Sequence, residues 1–147
     1  MSILSAERIE LKATAADKTD AIRQVGQLLV NSGCVAPAYV EGMLAREETM
    51  STYLGSGVSI PHGQYENHND IIQTGIAVLQ LAEGVEWEED ETAYLIIGIA
   101  ASSDEHMGVL TNLAEAVEDD NILQELLNTD DKAVIIAHLG KPQPADV

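Results

Sequence analysis

The sequence predicts a single α/β domain in which helices cover a β-sheet. Its 147 residues suit one domain with one core, and 46% of them are hydrophobic. Segments with strand patterns are separated by segments with helical spacing, which is the order expected when strands and helices form separate layers. Phe is absent and aromatic residues make up 3%, so we expect a core of Leu, Ile, Val, Ala and Met.

Alternating and continuous apolar runs predict strands at residues 8–12, 58–60, 74–81 and 93–100. The run at 93–100 is nearly all apolar, as in a central strand that is covered on both faces. Residues 83–91 are predicted to form an acidic loop that holds the only tryptophan, Trp87.

Apolar residues at helical spacing predict helices at residues 19–30, 37–46, 102–117, 122–127 and 132–139. Gly33 is a stop signal for the first helix, and Pro37 is suited to open the second. Ser102-x-x-Glu105 has the form of a capping box at the start of the third. Residues 141–147 contain two prolines and are expected to be a flexible tail of a domain that spans residues 1–147.

The charge balance excludes several classes of partner. Lys and Arg total 7 against 25 Asp and Glu, a net charge of −18. Nucleic acid and anionic membrane surfaces need clustered cations, so neither is an expected partner. The acidity suits encounter with proteins that carry basic patches, although it is equally compatible with a role in solubility alone.

Compartment and cofactor predictions follow from what the sequence lacks. Cys34 is the only cysteine, so no internal disulfide can form, and no apolar run approaches the length of a membrane span. The first residues lack the basic start and long apolar stretch of a signal peptide, so we expect a cytoplasmic protein without membrane insertion. Gly55-Ser56-Gly57 completes neither a dinucleotide loop nor a P-loop, and no histidine pair has metal-ligand spacing, so neither cofactor nor metal is predicted.

His62 is the strongest candidate for chemistry. It lies between Pro61, which stiffens the peptide, and Gly63, which we expect to remove bulk beside the imidazole ring. A neutral imidazole nitrogen is a good nucleophile near neutral pH and can accept a phosphoryl group and release it again. The alternative is a surface-loop histidine without a role.

Two further residues could support an anion near His62. His106 lies near the start of a capped helix, where backbone donors and the helix dipole favour an anion, although it could equally be an ordinary packed histidine. Arg46 is expected near the inner side at the end of its helix, and no Lys or Arg follows it before Lys132. Its alternatives are a cap on the helix C-terminus or an ion pair with Glu47 or Glu48.

The segment Gly57-Val58-Ser59-Ile60-Pro61-His62-Gly63 resembles the phosphohistidine motif of the mannitol/fructose class of phosphotransferase system enzyme IIA domains. Two further blocks occur in family order: Leu44-Ala45-Arg46-Glu47 with Tyr53-Leu54-Gly55, and Ile97-Gly98-Ile99-Ala100-Ala101 with Asp104-Glu105-His106. The similarity runs from about Ala15 to Leu139 and is greatest to the mannitol branch. Many relatives have Ala where Ser59 stands and Thr where Gln64 stands, so we expect these two residues to tune the hydrogen bonding of the nucleophile.

The resemblance implies a mixed β-sheet flanked by helices on both faces, and a division of roles. His62 would be phosphorylated by the phosphocarrier protein HPr, His106 would donate a hydrogen bond to the phosphoryl oxygens, and Arg46 would stabilise charge. The acceptor would be a cysteine of enzyme IIB in a membrane IIBC permease for mannitol or a related sugar. Those partners would come from other chains unless this sequence is a piece of a longer one.

Two other classes of function stay open. A nitrogen-type regulatory IIA protein would use the same His62 chemistry but signal by binding other proteins according to its phosphorylation state. A plain interaction domain would have lost the chemistry, and the joint presence of His62, His106 and Arg46 disfavours it.

Overall fold

A five-stranded sheet forms the centre of the computed structural model, which describes residues 4–63, 69–101 and 106–139. Its strands are β1 (Ile9–Ala13), β2 (Tyr53–Gly55), β3 (Val58–Ser59), β4 (Gly75–Glu88) and β5 (Glu91–Ala100). Its α-helices are α1 (Lys18–Asn31), α2 (Ala38–Thr49), α3 (His106–Glu118), α4 (Asp120–Asn128) and α5 (Lys132–Leu139).

The sheet mixes parallel and antiparallel pairs in the order β1-β4-β5-β3-β2. Parallel pairing joins β1 to β4, with Ile9 opposite Val78, and β3 to β5, with Val58 opposite Leu95. Antiparallel pairing joins β4 to β5 and β2 to β3. The predicted mixed α/β architecture is therefore confirmed.

Helices cover both faces of the sheet, and β5 shows how one strand serves two cores. Leu95, Ile97 and Ile99 pack with residues of α3, α4 and α5, whereas Ile96 packs on the opposite face with residues of α1 and α2. All four side chains are fully buried, which explains why this strand is a continuous apolar run and does not alternate.

Local signals explain the helix boundaries. Gly33 adopts a φ of 81°, the left-handed conformation that was predicted to end α1. Pro37 is the N-cap residue directly before α2. At the start of α1 the side chain of Asp17 accepts a hydrogen bond from the backbone N–H of Asp20 at 2.8 Å. The predicted capping box at 102–105 and the predicted tail at 141–147 lie outside the described residues.

The prediction of an acidic loop at residues 83–91 is wrong. Strand β4 continues to Glu88 and turns back into β5 at Glu89 and Asp90. Val85 and Trp87 are buried while Glu86 between them is exposed, so the segment has the alternation of a strand with one face covered. The many carboxylates of this segment lie on its exposed face and around its turn, where they remain hydrated.

Strand β2 is a second difference from prediction. No strand was predicted at residues 53–55, but these residues form a short hairpin with β3, and its turn places Ser56 and Gly57 at φ values of 56° and 85°. This hairpin lies at the edge of the sheet, and the chain leaves β3 toward His62.

Candidate functional site

Backbone hydrogen bonds fix the segment that carries His62 as it leaves the sheet. The N–H of Ile60 donates to the carbonyl of Thr52 at 3.0 Å, and the N–H of Ile99 donates to the carbonyl of Pro61 at 2.9 Å. His62 itself forms an isolated parallel bridge with Ile99 of β5. The histidine is thus presented by a short, restrained segment at the end of a two-residue strand.

A tyrosine on α2 restrains the peptide that follows the histidine. The Tyr39 hydroxyl accepts a hydrogen bond from the N–H of Gly63 at 2.9 Å and donates one to the carbonyl of Ile99 at 2.8 Å. Burial raises the pKa of Tyr39 above its ordinary value, and the hydrogen bond from Gly63 opposes this shift. The hydroxyl therefore keeps the proton that it donates to Ile99 at neutral pH.

The structure corrects the reason given for Gly63. A Cβ atom at this position would lie 2.6 Å from Cε1 and 2.9 Å from Cζ of Tyr39. The missing side chain makes room for the tyrosine ring, and it is this close approach that requires glycine. Any larger residue would push the ring or the peptide after His62 out of place.

The ring of His62 has a defined orientation. Its Nδ1 lies 2.8 Å from the carbonyl oxygen of Ile60. A carbonyl oxygen can only accept a hydrogen bond, so Nδ1 carries the proton and the lone pair of the neutral ring is on Nε2. The nucleophilic nitrogen of the neutral ring is therefore Nε2.

Arg46 makes the contact that was foreseen as an alternative to its charge role. Its Nη1 donates to the carbonyl of Met50 at 2.6 Å, which caps the last turn of α2. The capped segment leads directly to Thr52, whose carbonyl holds Ile60. Arg46 therefore lies on the segment that flanks the histidine strand, with its side chain half-buried.

The backbone places His106 at the first residue of α3, six residues after β5 ends at Ala100. His62 is bridged to Ile99, next to the residue at which β5 ends. The histidine segment therefore contacts the sheet at the end of β5 from which the chain continues to α3. The position of the His106 side chain lies outside what the structure describes, so its role stays a prediction.

Sequence reasoning missed a buried carboxylate next to Arg46. Glu47 is 6% exposed and accepts hydrogen bonds from the Thr52 N–H at 3.0 Å, from the Thr52 hydroxyl, and from the Trp87 indole N–H at 3.0 Å. The ammonium of Lys18 lies 3.6 Å from the same carboxylate. Glu47 therefore holds Thr52 in the position from which its carbonyl accepts from Ile60.

The sequence spacing does contain a signal for Tyr39 and Glu47, whose hydrogen bonds were not predicted. Tyr39, Met43 and Glu47 recur at intervals of four and form one buried stripe of α2. Their spacing shows that they share a face, but their hydrogen-bond partners belong to distant strands. The stripe therefore predicts burial and gives no partner for the hydroxyl or the carboxylate.

Ser59 does not make the hydrogen bond expected of it within the described structure. Its side chain is fully buried on β3, and its hydroxyl has no partner among the described residues. Its register partner on β5 is Ile96, whose side chain lies in the core formed with α1 and α2. A hydroxyl in such surroundings loses hydration without a compensating hydrogen bond.

Ser59→Ala is accordingly expected to raise the free energy of unfolding by about 1 kcal/mol, since it removes an unsatisfied buried hydroxyl. Urea denaturation followed by circular dichroism measures the change. Ser32→Ala is the matched control, because the Ser32 hydroxyl does donate to the carbonyl of Leu29 at 3.2 Å and its removal should lower stability. A Ser59→Ala protein less stable than the unmodified chain would show that the hydroxyl has a partner.

Within the described residues, the structure shows no second candidate centre built on another histidine or on a metal site. His138 lies 3.3 Å from a carboxylate oxygen of Glu125, a contact between α5 and α4, and His68 lies outside the described residues. Among residues 4–63, 69–101 and 106–139, no group of three His, Cys, Asp or Glu side chains could hold a metal ion. None of the helices in the described part of the chain is long and apolar enough to span a bilayer.

Sequence comparison relates this geometry to known proteins. A family model described as "Phosphoenolpyruvate-dependent sugar phosphotransferase system, EIIA 2" matches residues 2–141. A multiphosphoryl transfer protein of Xanthomonas campestris pv. campestris is 49% identical over 138 residues, which are 94% of this chain and 16% of that protein. The chain therefore spans only a small part of this curated relative.

Two solved structures share the fold over nearly their whole length. The crystal structure of IIA mannitol from Escherichia coli has a TM-score of 0.86 and 41% identity, covering 93% of this chain and 99% of that one. An NMR structure of the complex of enzyme IIAMTL and phosphorylated enzyme IIBMTL from Escherichia coli has a TM-score of 0.87 and 40% identity, covering 92% and 96% of the respective chains.

Proposed function

This chain belongs to the EIIA 2 family of the phosphoenolpyruvate-dependent sugar phosphotransferase system, and we propose that it carries a phosphoryl group on Nε2 of His62. As an EIIA phosphotransferase component, it would receive the group from phospho-HPr and pass it to a cysteine of enzyme IIB. That cysteine would serve a membrane IIBC permease for mannitol or a related sugar. Both exchanges would take place in the cytoplasm.

The contact between His62 Nδ1 and the Ile60 carbonyl is the observation that carries this proposal. The Nε2 lone pair attacks phosphorus, the new N–P bond forms, and the bond to the HPr histidine breaks with its electron pair returning to that ring. The imidazole of His62 gains positive charge in this step. The Ile60 carbonyl stabilises that charge because it accepts the Nδ1 proton in a charge-assisted hydrogen bond.

The second transfer reverses the roles. A cysteine thiolate of IIB attacks phosphorus, an S–P bond forms, and the N–P electron pair returns to Nε2 of His62. Such transfers depend on positioning and on stabilising the phosphoryl oxygens more than on covalent activation. The restrained backbone at Pro61 and Ile99 supplies the positioning on the chain's own side.

His106 and Arg46 are proposed to stabilise the phosphoryl oxygens. The first residue of α3 is His106, where helix N–H groups and the dipole favour an anion. The contact of Arg46 with Met50 uses Nη1 and one N–H group of its guanidinium, which carries several. Because the site has few cations, it would not bind the phosphoryl group too tightly, and the phosphohistidine would stay reactive enough to pass that group on.

His106→Ala is expected to slow phosphorylation of His62 by about 100-fold, the usual effect of removing one donor to transition-state charge. Rapid-quench measurement of a single turnover with phospho-HPr gives the rate. The control is His138→Ala, which removes a histidine that contacts Glu125 between α4 and α5. Unchanged transfer by the His106 variant, with its circular dichroism spectrum intact, would refute the assigned role.

The acidic surface suits the proposed partners. A net charge of −18 favours encounter with proteins whose docking surface is basic, and this attraction weakens as salt screens it. We therefore expect the transfer rate to fall with rising ionic strength.

The direct test mixes the chain with phosphoenolpyruvate, enzyme I and HPr and maps the phosphoryl group by mass spectrometry. Acid-labile phosphate on His62 that chases to a IIB cysteine supports the carrier function. Phosphate on His62 that no IIB accepts would favour the nitrogen-type regulatory alternative. Absence of any phosphate, with the HPr preparation shown to be active on another IIA, would overturn the proposal.

A further inference from the structure

We infer that Tyr39 is a positioning residue of the proposed transfer: its hydroxyl fixes the peptide after His62 and so sets the direction of Nε2. The inference rests on the proposed function of His62. Tyr39 lies on α2, 23 positions before the histidine, and outside the three sequence blocks named above for the family resemblance.

The hydroxyl of Tyr39 takes part in the bridge between His62 and β5. In a regular parallel bridge, Ile99 would donate to the residue before His62 and accept from the residue after it. The first bond is direct, from the Ile99 N–H to Pro61. On the other side, the N–H of Gly63 donates to the Tyr39 hydroxyl, which donates in turn to the Ile99 carbonyl.

This relay holds the backbone on both sides of the histidine to one residue of the central sheet. Ile99 is completely buried and Tyr39 is 3% exposed, so the hydrogen bond between the Tyr39 hydroxyl and the Ile99 carbonyl is shielded from water, while the Gly63 end of the relay is half-buried. The direction of the His62 side chain follows from the backbone around it, and the Nδ1 contact with Ile60 spans the same short turn. Displacement of the Gly63 peptide would therefore alter both the aim of Nε2 and the contact that defines the tautomer.

The ring and the hydroxyl of Tyr39 have separable tasks. The ring fills the space where a Gly63 side chain would be, and phenylalanine would keep that packing. Without the hydroxyl, the Gly63 N–H and the Ile99 carbonyl would have to approach each other or recruit a water molecule. Either response moves the peptide after His62, and a displacement of about 1 Å at a reacting group can cost about 100-fold in rate.

Tyr53 supplies a matched comparison within the same sheet. Its hydroxyl accepts from the N–H of Gly57 at 3.0 Å and donates to the carbonyl of Thr92 at 3.3 Å. It therefore relays a glycine N–H to a β5 carbonyl just as Tyr39 does, but at the β2–β3 turn. Tyr53→Phe removes the same chemical group from the same kind of relay without touching the peptide after His62.

The experiment compares Tyr39→Phe with Tyr53→Phe in the full chain. Phosphorylation of His62 by phospho-HPr in a single turnover is expected to slow by about 10- to 100-fold in Tyr39→Phe and to stay within about twofold in Tyr53→Phe. The loss should persist at saturating phospho-HPr, because it concerns the bound reaction geometry and not the docking of HPr. Stability of both variants is measured by urea denaturation, so that only folded protein enters the rate.

Nitrogen-15 NMR of the His62 ring in the unphosphorylated protein provides a readout that needs no partner. We expect the Nδ1-protonated tautomer to dominate in the unmodified chain and in Tyr53→Phe, and to lose population in Tyr39→Phe. An unchanged tautomer and rate in Tyr39→Phe, or an equal rate loss in both variants, would overturn the inference. If the unmodified chain accepts no phosphate, the proposed function fails, while the NMR comparison still tests the control that Tyr39 exerts on His62.

Discussion

His62→Gln is expected to abolish phosphoryl transfer, lowering the rate of phosphorylation by phospho-HPr by about 10⁵-fold or more, as removal of a nucleophile usually does. Glutamine offers no nitrogen lone pair comparable to Nε2, because its amide nitrogen is conjugated with the carbonyl. The backbone hydrogen bonds of Ile60 with Thr52 and of Pro61 with Ile99 do not involve the side chain of residue 62, so the restrained turn should persist. The same variant should be unable to deliver phosphate to IIB.

Stability separates loss of chemistry from loss of fold in this variant. His62 is half-buried, and substitutions at such positions outside the core usually change stability by less than about 1 kcal/mol. Urea denaturation of His62→Gln and of the control His138→Gln should give similar midpoints. Retention of acid-labile phosphate by folded His62→Gln would show that another residue is the acceptor.

Glu47→Ala should lower the free energy of unfolding by about 2–5 kcal/mol, since each buried donor left without an acceptor costs about 1–3 kcal/mol. The truncation leaves the Trp87 indole N–H and the Thr52 N–H buried without their shared acceptor. Lys18 keeps a nearby carboxylate at Glu88, 3.5 Å away, so the main loss comes from these donors and from the Thr52 hydroxyl, which also loses its acceptor. Denaturation in urea, followed by circular dichroism, measures the change.

A second glutamate on α2 provides the control for this prediction. Glu41 pairs with Arg23 at 3.0 Å, and their side chains are 70% and 53% exposed. Exposed pairs of this kind contribute little, so Glu41→Ala should change stability by less than about 0.5 kcal/mol. If Glu47→Ala proves as mild as Glu41→Ala, the network around Trp87 does not stabilise the fold in the way described.

Patterns that are local in the chain were predicted well. The apolar run of β5 and the helical spacing of α1 are each set by residues only a few positions apart in the chain. Gly33 also takes the backbone conformation expected of it. The extension of β4 to Glu88 was missed because the prediction followed the acidic composition of this segment and not its period of two residues. The acidic character of residues 83–91 indicated a loop, whereas the alternation of Val85 and Trp87 with exposed residues indicated a strand.

The hydrogen-bond partners within the site could not be predicted from local patterns. His62 was identified from its proline and glycine neighbours, but the reason for Gly63 depends on Tyr39, 24 residues away. The hydroxyl of Tyr39 in turn bonds Ile99 at a separation of 60 residues, and Glu47 bonds Trp87 at a separation of 40. No local pattern specifies such partners, because they are brought together only by the order of strands in the sheet.

That strand order also determines when during synthesis the site can exist. A nascent chain that has been synthesised as far as His62 already contains Tyr39 but lacks β5. It therefore lacks Ile99, to which both Pro61 and Tyr39 are hydrogen-bonded. Strands β3 and β4 also lack their shared neighbour until β5 is made. Because these contacts are distant in sequence, they form late in folding. Incomplete chains should therefore not accept phosphate from phospho-HPr, and acceptance of phosphate would show that the sheet is complete.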